Sequence, residues 1–146
     1  MQFHILSEGR ENADPTAPLV ADYISRIGKF FPVTDTVVRP GAKVTLVSKC
    51  GQLASRGMLP IALDERGREY TSEQFSRQLS EWISASPGGL LFIIGSAEGL
   101  APELIQMARS TIALSKMTLP HRMARLLLAE QIYRGLCIQK HIPYHK

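Results

Sequence analysis

Apolar residues along this chain switch repeatedly between short runs that suit a buried strand and stripes that suit one face of a helix. Residues 3–6 read as a first strand, and 15–28 as a helix with Leu19, Val20, Tyr23, Ile24 and Ile27 on one face. Residues 36–39 form a second strand, closed by Pro40-Gly41. The spacing over 44–54 predicts a short helix, although Val44, Thr45 and Val47 would also suit a strand. A third strand covers 59–63, followed by a turn at Asp64-Glu65-Arg66-Gly67. Ser72 opens a helix carrying Phe75, Leu79, Trp82 and Ile83, which Ser86-Pro87-Gly88-Gly89 stops. Leu90-Leu91-Phe92-Ile93-Ile94 is a buried strand, 103–109 a short helix behind Pro102, and 122–140 a long final helix. This alternation predicts an α/β fold with a mostly parallel sheet and helices on both faces.

Bulk properties narrow this picture only slightly. At 146 residues the chain is expected to form a single domain over 1–146. A net charge of +4 permits a polyanionic partner without requiring one. No apolar run approaches the roughly 20 residues of a membrane span, and the N-terminus lacks a signal peptide's basic start. Cys50 and Cys137 have no metal or disulfide spacing, so two free thiols in a reducing cytoplasm are expected.

Two loops resist a purely structural explanation. The buried strand at 90–94 opens into Gly95-Ser96-Ala97-Glu98-Gly99, the kind of place where α/β proteins bind cofactors. Neither a dinucleotide fingerprint nor a P-loop is present, which argues against a nucleotide phosphate. Gly95, lacking a Cβ, could let backbone approach a ligand; alone, a plain strand-to-helix turn is the better reading. Further on, Leu114-Ser115-Lys116-Met117-Thr118-Leu119-Pro120-His121 alternates apolar residues with small hydroxyls. Thr118 and Pro120 could simply start the next helix. An irregular backbone there could equally offer amides and carbonyls to an adenine edge, with Leu114, Met117 and Leu119 covering its faces.

The final helix carries Met123, Leu126, Leu127, Ile132, Tyr133, Leu136 and Cys137, an apolar surface wide enough for a core or a subunit contact. On the same helix Glu130 can pair with Arg134 at i,i+4. The terminal Tyr144-His145-Lys146 combines an aromatic, an imidazole and a cation, suited to stacking, proton exchange and phosphate contact. Metal binding by His141 and His145 is not expected, because Pro143 breaks the helix that would align them.

Taken together, Ile94-Gly95-x-x-Glu98-Gly99-Leu100, Leu114-Ser115-x-Met117-Thr118-Leu119-Pro120-His121, Glu130-x-x-Tyr133-Arg134 and the terminal Tyr144-His145-Lys146 resemble the RlmH family. These SPOUT-class enzymes use S-adenosylmethionine to methylate N3 of a pseudouridine in 23S (large-subunit) ribosomal RNA. The resemblance implies a C-terminal trefoil knot and a homodimer. A chain this small has little surface for reading sequence, so recognition of the whole assembled ribosome is expected. The resemblance also implies a donor site built from Leu63, Gly95, Leu114, Ser115, Lys116, Met117, Thr118 and Leu119. Catalytic roles fall to His145, Arg134, Glu130 and Tyr144, with the tail serving the site across the dimer interface. This chain has Gly95-Ser96-Ala97-Glu98-Gly99 where the family often has Gly-Gly-Pro-Glu-Gly. Its stretch between the second and third strands is also shorter than usual.

The acceptor nitrogen of a uracil-like ring must lose its proton. Either His145 as general base or Arg134 as cationic stabiliser could serve. Phosphate contacts are expected from Arg10, Arg39, Lys43, Lys49 and Arg56. The main alternative is a non-enzymatic RNA-binding module of the ribosome, which predicts no affinity for the methyl donor. A dimeric scaffold is a second, and leaves both the 114–120 tract and the tail unexplained.

Overall fold

A computed structural model describes residues 1–10, 13–41 and 44–146, so Lys43 falls outside the described residues. Ten elements follow in order: β1 (Phe3–Glu8), α1 (Ala17–Ile27), β2 (Val33–Val38), α2 (Leu46–Ser55), β3 (Leu59–Glu69), α3 (Ser72–Ala85), β4 (Leu90–Ile94), α4 (Pro102–Met107), β5 (Ser110–Ala113) and α5 (His121–Gln139). The five strands form one sheet in the order β2-β1-β4-β3-β5, every pair parallel.

Successive strand residues point to opposite faces and so feed two cores. Phe3, Ile5, Phe92 and Ile94 pack with α3 and α5 residues such as Leu79, Ile132 and Leu136. Leu6, Leu91 and Ile93 face the other way, against Leu46, Cys50 and Leu53 of α2 and Leu104 of α4. Burial on both faces is why these strands read as continuous apolar runs. Within the second core, burial pushes the Cys50 thiol up to about 11, and its Sγ donates to Met107 Sδ at 3.3 Å.

The region at 44–54 is a helix, settled by its capping box: Thr45 Oγ1 accepts from the Ser48 amide at 3.1 Å, and Ser48 Oγ from the Thr45 amide at 3.0 Å. Helix α3 starts the same way, with Thr71 as the cap and Ser72 already inside. Three expectations need correction. Strand β2 begins three residues early, at Val33, because its parallel partner Phe3 extends the ladder there. Strand β3 runs through the anticipated 64–67 turn with a register shift, both Leu63 and Arg68 lying opposite Ile112. Leu19, expected on the apolar face of α1, is 53% exposed, while Val20 and Ile27 are buried.

Helix α5 lies over the sheet between α1 and α3. Gly135 is the contact point with α3: a Cβ there would sit 3.3 Å from Leu79 Cδ2, and its carbonyl accepts from Ser76 Oγ at 2.8 Å. Apolar expectations for α5 divide accordingly. Ile132, Leu136 and Cys137 are buried, whereas Met123 and Leu127 are 41% and 37% exposed.

Candidate active site

All parallel strands end at one edge of the sheet, and a cavity of about 690 Å³ opens there. Its floor is Leu63 and Ile94, adjacent in the ladder; its walls are the 95–100 turn, the 64–66 bend and the segment 114–121. A volume of this order suits a small molecule.

Gly95 is needed here for a reason other than ligand approach. The turn folds back so far that a Cβ on Gly95 would lie 2.6 Å from the Gly99 carbonyl oxygen. The turn is fixed by the Gly99 amide donating to the Ser96 carbonyl at 2.9 Å, with Gly99 at φ +88°. Ser96 Oγ also donates to Glu98 Oε2 at 2.8 Å.

Segment 114–120 is held from within and across the cavity. Ser115 Oγ accepts from the Met117 amide at 3.0 Å, and the Thr118 hydroxyl donates to the Glu65 carboxylate. Thr118 is therefore a strap rather than a helix cap; Pro120 occupies the cap position of α5 without a side-chain bond. Seven of the eight anticipated donor-site residues line the cavity, namely Leu63, Gly95, Leu114, Ser115, Met117, Thr118 and Leu119. Lys116 is absent from the lining: it points outward, 3.7 Å from Glu69 and 86% exposed.

Charges on the lining are uneven. Asp64, Glu65 and Glu98 stand against one guanidinium, Arg66. Arg66 grips Asp64 from Nε at 2.9 Å and Nη2 at 3.1 Å, and this holds the Asp64 carboxyl below the usual carboxylate range. Glu65 and Glu98 are bonded only to hydroxyls among the described residues.

The four anticipated catalytic residues also assemble, but elsewhere. Arg134 donates from Nε (2.9 Å) and Nη2 (2.6 Å) to Glu130 Oε1, which also accepts from the Tyr144 hydroxyl at 3.0 Å. The Arg134 guanidinium sits 4.9 Å over the Tyr144 ring and reaches His145 Nδ1 at 3.0 Å. Burial, then hydrogen bonds to Tyr23 and Glu130, push the Tyr144 phenol well above its ordinary value. None of the four lines the cavity. Glu130 lies nine residues along α5 from His121, about 14 Å at 1.5 Å per residue.

Sequence reasoning missed several participants. Tyr23 on α1 shares its hydroxyl with Tyr144 at 3.1 Å, and Glu73 lies 3.5 Å from His145 Nε2. The first two turns of α5 are anchored by a fork from Arg125 to Asp35 on β2 and by Arg122 Nη2 donating to the Arg10 carbonyl at 3.2 Å. These partners are up to 121 residues apart in the chain, and no local pattern links them. Of the expected phosphate contacts, Arg10 and Arg39 follow β1 and β2 at the cavity edge. Arg56 caps the far end of α2, at the opposite edge of the sheet, and Lys49 lies between.

The sequence profile described as "Predicted SPOUT methyltransferase" matches residues 1–145. A ribosomal RNA large subunit methyltransferase H from Syntrophomonas wolfei is 34% identical, covering all of both chains. One of the same name from Cupriavidus necator is 48% identical over 59% of this chain and 54% of its own. Among solved structures, a protein from Porphyromonas gingivalis assigned as an RNA methyltransferase of the TrmH family aligns with a TM-score of 0.53 at 12% identity. The alignment covers 89% of this chain and 58% of that one. A protein from Legionella pneumophila assigned as a methyltransferase, solved with SAM bound, gives a TM-score of 0.53 at 11% identity over 93% and 66%. Those two likenesses speak to the fold. The chain belongs to the SPOUT methyltransferases and, within them, to the RlmH family.

Proposed function

We propose that this protein transfers a methyl group from S-adenosylmethionine to N3 of a pseudouridine in 23S ribosomal RNA, acting on the assembled large subunit. The observation carrying this reading is the cavity, because two segments singled out for donor binding, 95–99 and 114–119, form its walls. Its chemistry fits the donor: Leu63, Leu114 and Leu119 offer apolar faces to a purine, and the carboxylate excess favours a sulfonium over a phosphate. When bound, the donor supplies an activated methyl on positively charged sulfur. The protein's contribution is alignment and exclusion of water.

A homodimer belongs to the proposal. In one chain the Glu130–Arg134–Tyr144–His145 cluster stands away from the cavity, and a second copy could bring its own cluster to the mouth. Exposed Met123 and Leu127, one turn apart on α5, and Met117 at 77% exposure supply an apolar contact surface. Passage of the 110–120 segment through the 64–69 bend, making a knot, is also proposed. It is supported by the close packing of Gly67 on the Thr111 and Ile112 backbone.

Calorimetry with S-adenosylmethionine tests the core of this reading. Saturable binding is expected, weakened at least tenfold by Leu114→Arg. No binding by the folded wild type would favour the non-enzymatic RNA-binding alternative. Mass analysis of ribosomal RNA from cells with and without the protein tests the target; an unchanged pseudouridine methylation pattern would overturn it.

A further inference from the structure

Two imidazoles bear on a proton-transfer role, and the structure treats them differently. In His145 both ring nitrogens face partners, Arg134 at Nδ1 and Glu73 at Nε2. His121, the first residue of α5, lines the cavity itself, and its ring has no hydrogen-bond partner among the described residues. The ring lies directly over Gly9: a Cβ there would stand 2.8 Å from His121 Nε2, so a larger residue would shift the ring from this position.

The position of this ring in the sheet is informative. Read across the strand ends, the edge runs Arg39 after β2, Gly9-Arg10 after β1, Gly95 after β4, Leu63 in β3 and Leu114 after β5. Neighbouring strands are about 4.8 Å apart. The donor-type walls occupy the β4, β3 and β5 side, and exposed arginines the β2 and β1 side. His121, seated over Gly9, stands at the junction, where an RNA base held by its phosphates would meet the methyl group.

We propose that His121 is the proton acceptor of the methyl transfer, held in place by Gly9. The inference rests on the methyl-transfer reading above. A ring nitrogen of His121 takes the proton from the acceptor nitrogen, whose freed electron pair forms the new N–C bond. The S–C pair stays on sulfur, so sulfonium becomes thioether and the positive charge ends on the imidazolium. Arg134 and His145 from the second copy then hold the base rather than deprotonate it. The charged residues nearest His121 in the fold are Glu8 and Arg10 flanking Gly9, and Arg122 and Arg125 on its own helix, both of which meet Asp14. Across the cavity stand Asp64, Glu65, Arg66 and Glu98.

The test uses the intact protein with S-adenosylmethionine and large ribosomal subunits. His121→Asn is expected to lower kcat about a hundredfold or more and to abolish the rise of kcat with pH. Donor Kd by calorimetry should stay within threefold, and added imidazole should restore part of the turnover of His121→Ala. His145→Asn should keep the pH rise. In the wild type, the His121 ring proton resonance should shift when a pseudouridine oligonucleotide is added to donor-saturated protein. Gly9→Ala, which displaces a flexible side chain and not the backbone, should lower kcat with unchanged melting and donor affinity. If His121→Asn keeps the pH rise and kcat within threefold, or if its only defect is donor affinity, the proposal is wrong. Absence of donor binding by the wild type would instead defeat the methyl-transfer reading.

Discussion

Arg134 donates to His145 Nδ1 at 3.0 Å while its other two donors close on Glu130 Oε1 at 2.9 and 2.6 Å. A guanidinium has no lone pair to offer, so Nδ1 must accept and the ring proton lies on Nε2, towards Glu73. The planar fork thus ties the last residues of the chain to the middle of α5. A lysine is a point charge and cannot bridge both partners. Arg134→Lys is expected to lower turnover at least tenfold and to make the last five residues susceptible to carboxypeptidase in the folded protein. Retention of both wild-type turnover and protease resistance would show that the fork is not needed.

Tyr23 acts one step further out. Its hydroxyl meets that of Tyr144, which in turn donates to Glu130. The tilted and edge-to-face ring contacts from Tyr23 through Tyr133 to Tyr144, with centroids 6.1 and 4.7 Å apart, survive loss of a hydroxyl. Tyr23→Phe should therefore cost about 1 kcal/mol in urea unfolding, the net value of one hydrogen bond. Because only positioning of the tail is affected, KM for the RNA should rise several-fold while donor affinity is unchanged.

How much of this was legible beforehand depends on whether the governing contacts are local. Helix α3 was plain because Phe75, Leu79 and Trp82 repeat at its own period, although its cap is Thr71 and not the expected Ser72. The two loops expected to bind the donor were picked out by their motifs, and seven of the eight residues line one cavity. Lys116 could not be separated from its neighbours, since its outward direction is set by the turn that Ser115 makes with Met117. The separation of Glu130 and Arg134 from the cavity was equally hidden. Motif order says nothing about distance along a helix relative to a second copy. Gly9 and His121 stayed silent because their contact joins residues 112 apart.

Gly67 offers a test of the packing between β3 and β5. A Cβ at this position would stand 2.7 Å from the Thr111 and Ile112 backbone, and backbone on a strand cannot swing aside. Overpacking of this kind typically costs about 1–3 kcal/mol. Gly67→Ala should fall in or above that range by chemical denaturation and should weaken donor binding, since the bend beside it carries Asp64 and Glu65. Stability equal to wild type would mean that the 64–69 bend does not press on β5.

The proposed dimer makes a separable prediction. Met123 and Leu127 are 41% and 37% exposed on α5 and lie outside both buried clusters. Leu127→Glu is expected to halve the sedimenting mass and reduce turnover at least a hundredfold, while the melting temperature of the chain changes little. A variant that stays dimeric and active would show that this face of α5 is not the interface.

His4 links burial to pH. It is 8% exposed on β1, with Nε2 and Thr36 Oγ1 2.9 Å apart. Burial, then repulsion by Lys49, holds its imidazole below the ordinary 6.5. The folded state therefore resists protonation more than the unfolded state does. Below the unfolded value the unfolded chain binds the extra proton first, so the stability conferred by neutral His4 is complete above 6.5 and is lost as pH falls through the folded value. Urea unfolding of the wild type should show stability declining from pH 7 to pH 5. His4→Gln should start lower at pH 7, yet lose less over the same interval. A decline of the same steepness in the variant would assign the acid sensitivity to other groups.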